Sequence, residues 1–126
     1  MSMKTILIVD DSATIRQQLQ SLLEEHGFTV TQAEDGQQGV ARAEEAPVDM
    51  MIVDVNMPNM NGIQMVEEVR KQSHHRDTPI FMLTTESTKG VMAMGKQAGA
   101  TAWFVKPFRP EMLLKGIRRV LSQTRG

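Results

Sequence analysis

The sequence contains no cysteine, no tyrosine, one tryptophan, and only 4% aromatic residues. The absence of cysteine excludes disulfides, thiolate metal ligands and a thiol nucleophile, and it is typical of a reducing compartment. With 14 Lys and Arg residues against 15 Asp and Glu residues, binding of nucleic acid through bulk positive charge is not expected. No apolar run approaches the roughly 18 residues of a membrane span, and the N-terminus has no long apolar signal core. We therefore expect a cytoplasmic protein without membrane insertion.

Short apolar runs alternate with amphipathic segments along the chain, and 126 residues fit one domain at roughly 100–200 residues per domain. The apolar runs predict strands at 5–9, 28–33, 50–53, 79–83 and 102–105. Helical spacing predicts helices between Ser12 and His26, at 37–45, around Val66 and Val69, at about 88–97, and from Pro110 onward. Such alternation indicates a parallel sheet with helices on both faces, in one α/β domain.

Polar side chains follow four of the predicted strands. They are Asp10 and Asp11 after the first strand, Asp54 after the third, Thr84 after the fourth and Lys106 after the fifth. Ligands of open α/β sheets bind beyond the carboxyl ends of the strands, where the strand order reverses. Taken alone, each Asp would be read as a helix cap or turn former, and the Lys as a solvated charge. Because the placements coincide at one edge of the sheet, a functional site is the favoured interpretation.

The three carboxylates of this set require a cation. Two carboxylates about 4 Å apart repel by roughly 4 kcal/mol at an effective dielectric constant of about 20. Oxygen ligands without His or Cys suit Mg²⁺. A carboxylate beside Mg²⁺ can attack phosphorus, and Thr84 and Lys106 would supply donors to the new phosphoryl oxygens. Asp54 is the favoured nucleophile, and Asp10 and Asp11 are the favoured metal ligands.

Together with Asn56-Met57-Pro58 and Pro107, the order and spacing of these residues resemble the receiver domain of two-component response regulators. The resemblance extends over about residues 4–121, and segment 56–62 is most similar to the single-domain chemotaxis regulators of the CheY type. It implies a flavodoxin-like (βα)5 three-layer sandwich with a five-stranded parallel sheet in the order 2-1-3-4-5. It further implies a single receiver domain over residues 1–126, without an output domain.

The resemblance assigns the metal and the phosphoryl group to particular residues. Asp54 would be the phosphoacceptor, supplied by a CheA-like histidine kinase. Asp11, Asp54 and the backbone carbonyl of Asn56 would coordinate Mg²⁺ directly, and Asp10 would help through water. Asn56 and Glu86 would flank the path of the attacking water, and an amide paired with a carboxylate there implies a short-lived aspartyl phosphate. The alternative for Glu86 is a favourable charge at the N-terminus of the fourth helix.

The resemblance also implies a switch. Lys106 would pair with the phosphoryl group and form a cis peptide with Pro107, while Thr84 would move to bond a phosphoryl oxygen. Trp103, which stands where the family more commonly has Tyr or Phe, would then turn inward. An indole is larger and only donates through its N–H, so the switch is blunted or rebuilt here. In the alternative interpretation, Trp103 packs on the neighbouring helix.

The family uses the face of the fourth helix, fifth strand and fifth helix for output. Val91, Met94 and Ala98 are predicted to share the inward stripe of the fourth helix, which turns Met92 outward. Methionine is adaptable and recurs at binding surfaces. The predicted partner-contact residues are Met92, Lys96 and Trp103.

His74 and His75 form the only pair of adjacent histidines, in the segment after the third helix. A metal site there is disfavoured, because the third histidine of the chain lies far away in sequence. A solvated loop is the prediction.

These features predict a phosphorylation-driven signalling switch that catalyses only its own phosphotransfer and autodephosphorylation. We expect a monomer that binds a flagellar motor switch or a phosphotransfer protein and responds to a phosphatase. A phosphate sink or a non-chemotaxis relay receiver is the alternative. A phosphorylation-independent scaffold is less favoured. So is a Mg²⁺ phosphohydrolase of the haloacid-dehalogenase type, which would need a second Asp where Asn56 stands.

Overall fold

In the computed structural model, which describes residues 3–123, the apolar runs form five strands and the amphipathic segments form five α-helices. The strands are β1 (Thr5–Val9), β2 (Thr29–Ala33), β3 (Met50–Val53), β4 (Ile80–Thr84) and β5 (Ala102–Val105). The helices are α1 (Ala13–Glu25), α2 (Gly36–Glu45), α3 (Gly62–Arg70), α4 (Lys89–Ala98) and α5 (Pro110–Gln123). A 3-10 turn at Ser73–His75 precedes β4. Strands β2 and β4 each begin one residue later than predicted, and β4 extends to include Thr84.

The strands are parallel and lie in the order β2-β1-β3-β4-β5, which confirms the expected topology. Val9 at the end of β1 lies between Ala33 of β2 and Val53 of β3. From β1 the chain moves outward to β2 and then crosses back to β3. The strand order therefore reverses beside β1, and the loops after β1 and β3 diverge to leave a crevice at the carboxyl edge.

Successive residues of a strand point to opposite faces of the sheet and enter two separate apolar cores. Leu7 and Val9 pack with side chains of α2, α3 and α4, whereas Ile6 and Ile8 pack with side chains of α1 and α5. Strands β3 and β4 are buried along their whole length, as strands covered on both faces should be. The predicted three-layer sandwich is therefore confirmed. Within the described residues, no helix has the length and apolar character needed to cross a bilayer.

The inward face of α4 differs from the prediction. Met94 is 55% exposed, so its assignment to the inward stripe was wrong. Val91 and Ala98 do pack against the core, and the buried residue between them is Gly95. A hydrophobic pattern overlooks glycine, because glycine has no side chain to count. Here the backbone at Gly95 faces the sheet and Met94 turns away from it.

His75 lies in the interior and not in a solvated loop, so that prediction was also wrong. The ring is fully buried; its Nε2 accepts a hydrogen bond from the Val48 N–H at 3.1 Å, and Nδ1 lies 2.8 Å from the Gln72 side-chain oxygen. These partners require the neutral tautomer with the proton on Nδ1. Burial, together with the nearby charges of His74 and Arg70, lowers the pKa of His75 to about 4. The ring joins the segment before β3 to the segment before β4.

Acidification is expected to destabilise the fold through His75. The folded-state pKa of about 4 lies below the ordinary value of 6.5, so between these values the unfolded chain binds a proton that the folded chain does not. Stabilisation by neutral His75 is complete above the ordinary pKa and is lost as the pH falls toward 4. Between pH 7 and pH 5 the free energy of unfolding should fall by about 2 kcal/mol from this group.

Urea denaturation of the wild type, His75→Gln and His26→Gln at these two pH values checks this. His75→Gln should show a smaller decrease than the wild type, whereas the control at exposed His26 should retain the wild-type decrease. Equal decreases in all three proteins would contradict the assignment.

Candidate functional site

Three carboxylates meet where the loops leave β1 and β3. Asp10 and Asp11 follow β1, Asp54 follows β3, and the Asp54 N–H donates to the Val9 carbonyl at 2.9 Å, which holds the two strand ends together. One oxygen from each carboxylate lies within 4.8 Å of the others. Asp10 and Asp54 are 2% and 7% exposed, whereas Asp11 is open to solvent. The crevice thus has two acids at its floor and one at its rim.

The ammonium of Lys106 lies between the two buried carboxylates. Its Nζ is 2.8 Å from Asp10 Oδ2 and 3.2 Å from Asp54 Oδ2. The Lys106 backbone N–H donates to the Thr84 carbonyl at 2.8 Å, which ties the end of β5 to the end of β4. The Lys106–Pro107 peptide bond is cis. Four of the predicted site residues, from four strand ends, are therefore linked by direct contacts.

Burial and pairing act in opposite directions on the charges of the crevice. Burial raises the pKa of Asp10 above its ordinary value, and the hydrogen bonds from Lys106 and from the Ser12 N–H offset this only in part. Burial lowers the pKa of Lys106, but the hydrogen bond to Asp10 and the attraction of Asp10 and Asp54 outweigh it and leave that pKa raised. The ammonium is therefore held in its charged form beside the acids.

The donor set fits a hard divalent cation. Three carboxylates lie beside a single ammonium, and the exposed carboxylate of Asp11 gives a hydrated ion access to the buried pair. Mg²⁺ binds oxygen ligands and keeps several of its waters, as such a half-open site requires. Asn56 lies in the exposed loop two residues after Asp54.

Thr84 connects the crevice to the loop between β4 and α4. Its side chain is fully buried at the end of β4, and its Oγ1 accepts a hydrogen bond from the Glu86 N–H at 3.2 Å. The Glu86 carboxylate accepts a hydrogen bond from the hydroxyl of Thr88, the residue that precedes α4, at 3.2 Å. Glu86 therefore lies before α4, whose first turn contains no acidic residue, and both interpretations of its role stay predictions.

The Trp103 indole lies between α4 and this same loop. Its Nε1 donates to the Glu86 carbonyl at 2.8 Å, and its ring packs against the core on the α4 side. Met92 and Lys96 are exposed on α4 and, with Trp103, line a groove of about 430 Å³ between α4 and β5. The three predicted partner-contact residues therefore line one groove.

Sequence reasoning missed Arg16, which supports the acidic loop. Its Nη1 donates to the Asp10 carbonyl at 2.7 Å, and its Nε donates to the Gln32 side chain at 2.9 Å. Arg16 lies one turn after the N-cap Ser12, and helical side chains lean toward the N-terminus. The four-residue spacing between Ser12 and Arg16 could have indicated this contact, because it places the guanidinium within reach of the end of β1.

A contact between Asp35 and Asn59 was also missed. The Asp35 carboxylate caps α2 by accepting from the Gln38 N–H and accepts a second hydrogen bond, at 2.7 Å, from the Asn59 amide. These two bonds lower the pKa of Asp35. Asn59 has a φ of 69°, which asparagine tolerates better than most residues, and the Gly36 N–H donates to the Met60 carbonyl. The loop after β3 is thereby fixed to the start of α2.

Comparisons with known proteins agree with this geometry. The family model for the response regulator receiver domain matches residues 6–118. Protein PilH of Pseudomonas aeruginosa is 38% identical over 120 residues, which span 95% of this chain and 99% of PilH. The structure of chemotaxis protein CheY4 from Vibrio cholerae is similar, with a TM-score of 0.90 and 48% identity over 94% of this chain and 99% of that one.

A further solved structure bears on the metal. The receiver domain of a sensor histidine kinase from Pseudomonas aeruginosa has a TM-score of 0.90 and 29% identity, over 97% of this chain and 100% of that one, and has a magnesium ion coordinated in its active-site cleft. The family match covers most of the chain, and the acidic crevice lies at the strand ends where the receiver resemblance places it. The chain therefore belongs to the response regulator receiver domain family and has the CheY-like form of its fold.

Proposed function

We propose that this protein is a response regulator in which Asp54 of the receiver domain accepts a phosphoryl group from the phosphohistidine of a histidine kinase. The observation that carries the proposal is the Lys106 ammonium held between the buried carboxylates of Asp10 and Asp54, with Asp11 at the mouth of the crevice. Burial makes such an arrangement unfavourable for the fold alone. The ammonium can receive a negatively charged group once a cation held by the carboxylates offsets their charge.

Asp54 is the acid best placed to act as nucleophile. It lies at the end of the central strand β3, and its side chain is 8% exposed, so a donor can reach it from the open side of the crevice. A carboxylate oxygen of Asp54 forms a bond to phosphorus while the phosphorus–nitrogen bond of the phosphohistidine breaks. The departing imidazole nitrogen takes up a proton, and the product is an aspartyl phosphate.

The surrounding residues stabilise the added charge. Asp10, Asp11, Asp54 and the backbone carbonyl of Asn56 would hold Mg²⁺, which offsets the negative charge of the phosphoryl oxygens when bound. The Lys106 ammonium, now shared by two carboxylates, donates to a phosphoryl oxygen. The Thr84 hydroxyl turns from its place beside the Glu86 N–H to donate to another.

The output passes to another protein through the groove between α4 and β5. Met92 supplies an adaptable apolar contact, Lys96 a charge and Trp103 a large ring at the same surface. The similarity to the chemotaxis protein CheY4 favours a role in chemotaxis, with a CheA-like kinase upstream and a motor-switch protein downstream. In this role the chain acts as a cytoplasmic monomer.

Activation should be visible through the only tryptophan. Beryllofluoride with Mg²⁺ mimics the phosphoryl group on Asp54 and is expected to change the emission of Trp103, because Thr84 and Trp103 both bind Glu86. Asp54→Asn should abolish the change. The control Asp77→Asn, at an exposed acid outside the crevice, should respond like the wild type. A persisting response in Asp54→Asn would contradict the assignment of the phosphoacceptor.

Mg²⁺ binding should depend on Asp11 without a matching effect on stability. Asp11 is exposed and its charge repels those of Asp10 and Asp54, so Asp11→Asn is not expected to lower the urea midpoint. It should weaken Mg²⁺ binding, measured by calorimetry, roughly tenfold or more, which is about 1.4 kcal/mol. Unchanged affinity would remove Asp11 from the ligand set.

The aspartyl phosphate should be short-lived. Asn56 and Glu86 occupy positions beside the path of an attacking water, so the protein labelled with a small phosphodonor is expected to lose its phosphoryl group within minutes once the donor is removed. Phosphate release without a phosphatase measures this. Persistence for hours would contradict the assigned role of the pair.

A further inference from the structure

We propose that Gly95 is a positioning residue that seats the Trp103 indole against α4, so that the indole N–H holds the β4–α4 loop and, through it, the Thr84 hydroxyl. The inference rests on the proposed function for its consequence at the crevice. Its structural part stands on the contacts of residues 84–103 alone.

The first observation is steric. A Cβ atom added at Gly95 would lie 2.6 Å from Cζ3 and 3.3 Å from Cε3 of the Trp103 indole. The six-membered ring therefore rests directly on the helix backbone. Any larger residue at this position would displace either the ring or the helix, because both distances lie below ordinary van der Waals contact.

The second observation is that this glycine opposes the preference of its own helix. Glycine in a helix interior is less favourable than alanine. Gly90 lies in the same helix, and an added Cβ there would meet nothing within 4 Å. Gly90 lies in the first turn of α4 and Gly95 in its interior, and of the two only Gly95 has a close partner across the interface.

The third observation is the path of hydrogen bonds beyond the ring. The Trp103 Nε1 donates to the Glu86 carbonyl at 2.8 Å, and the Glu86 N–H donates to Thr84 Oγ1 at 3.2 Å. One residue of the loop is thus held at its carbonyl by the indole and at its N–H by the hydroxyl. A phenyl ring could fill part of the space but could not donate this bond. Gly95 and Trp103 therefore work as a matched pair.

The pair links the two functional surfaces of the domain. Trp103 lines the groove beside Met92 and Lys96, and its N–H donates to the carbonyl of Glu86 in the loop that follows the buried Thr84. When the Thr84 hydroxyl turns toward a phosphoryl oxygen, the Glu86 N–H loses its acceptor and the loop shifts against the indole. The close approach of the Trp103 ring to the backbone at Gly95 sets the position of the ring in the groove before and after that shift.

Substituting the two glycines by alanine separates the seat from helix propensity. Gly90→Ala should raise the urea midpoint, whereas Gly95→Ala should lower it and shift the Trp103 emission to longer wavelength as the ring moves toward solvent. In a Trp103→Leu background, whose side chain ends short of the indole Cζ3, Gly95→Ala should no longer lower the midpoint. That non-additivity is expected only if the two side chains share the space.

The effect of Gly95 on activation is measured with the same variants, as the response of Trp103 emission to beryllofluoride. Gly95→Ala should raise the concentration of beryllofluoride needed for half-maximal emission change roughly threefold or more, and Gly90→Ala should leave it unchanged. A Gly95→Ala protein with a raised midpoint and wild-type emission would overturn the seat. A lowered midpoint with wild-type beryllofluoride response would overturn its link to the crevice. If the wild type itself gives no response, the proposed function fails, while opposite midpoint changes of the two variants still establish the seat.

Discussion

Repulsion among three carboxylates is the constraint on which the site depends. The parallel pairing of β1 with β3 brings Asp10 and Asp54 side by side at the floor of the crevice, where both residues are largely buried. Lys106 reduces the repulsion from the far side of the crevice, and it does so only because β5 lies beyond β4 in the same sheet. The order of the strands therefore also places charges: the ammonium that follows the outer strand β5 pairs with the carboxylates that follow β1 and β3.

The loops around the crevice are held from outside it. Arg16 reaches back from α1 to the Asp10 carbonyl, the Asp35–Asn59 contact fixes the loop after β3, and Trp103 holds the loop after β4. Each support comes from a different layer of the sandwich. A crevice that must accept a charged group and then signal its presence needs loops that are ordered but not buried, and side-chain contacts at their edges meet both requirements.

The confirmed predictions depend on short runs of neighbouring residues, whereas the wrong ones depend on contacts with other parts of the fold. Strands β1, β3 and β5 follow from runs of a few neighbouring residues, and the structure has them at the predicted positions. The sequence neighbours of His75 predict a loop, yet its ring is buried and forms hydrogen bonds with Val48 and Gln72. A short polar segment gives no sign of such burial, because Val48, whose N–H donates to the ring, lies on another segment of the chain.

The sequence by itself determined the alternation of strands and helices and the placement of acids, hydroxyl and ammonium at strand ends, because both depend on local periodicity. Tertiary structure alone decided that Met94 faces solvent, that Gly95 faces the sheet, and that the Trp103 N–H finds the Glu86 carbonyl. The physical reason is close packing: the Trp103 ring from β5 occupies the space that a side chain at Gly95 of α4 would take.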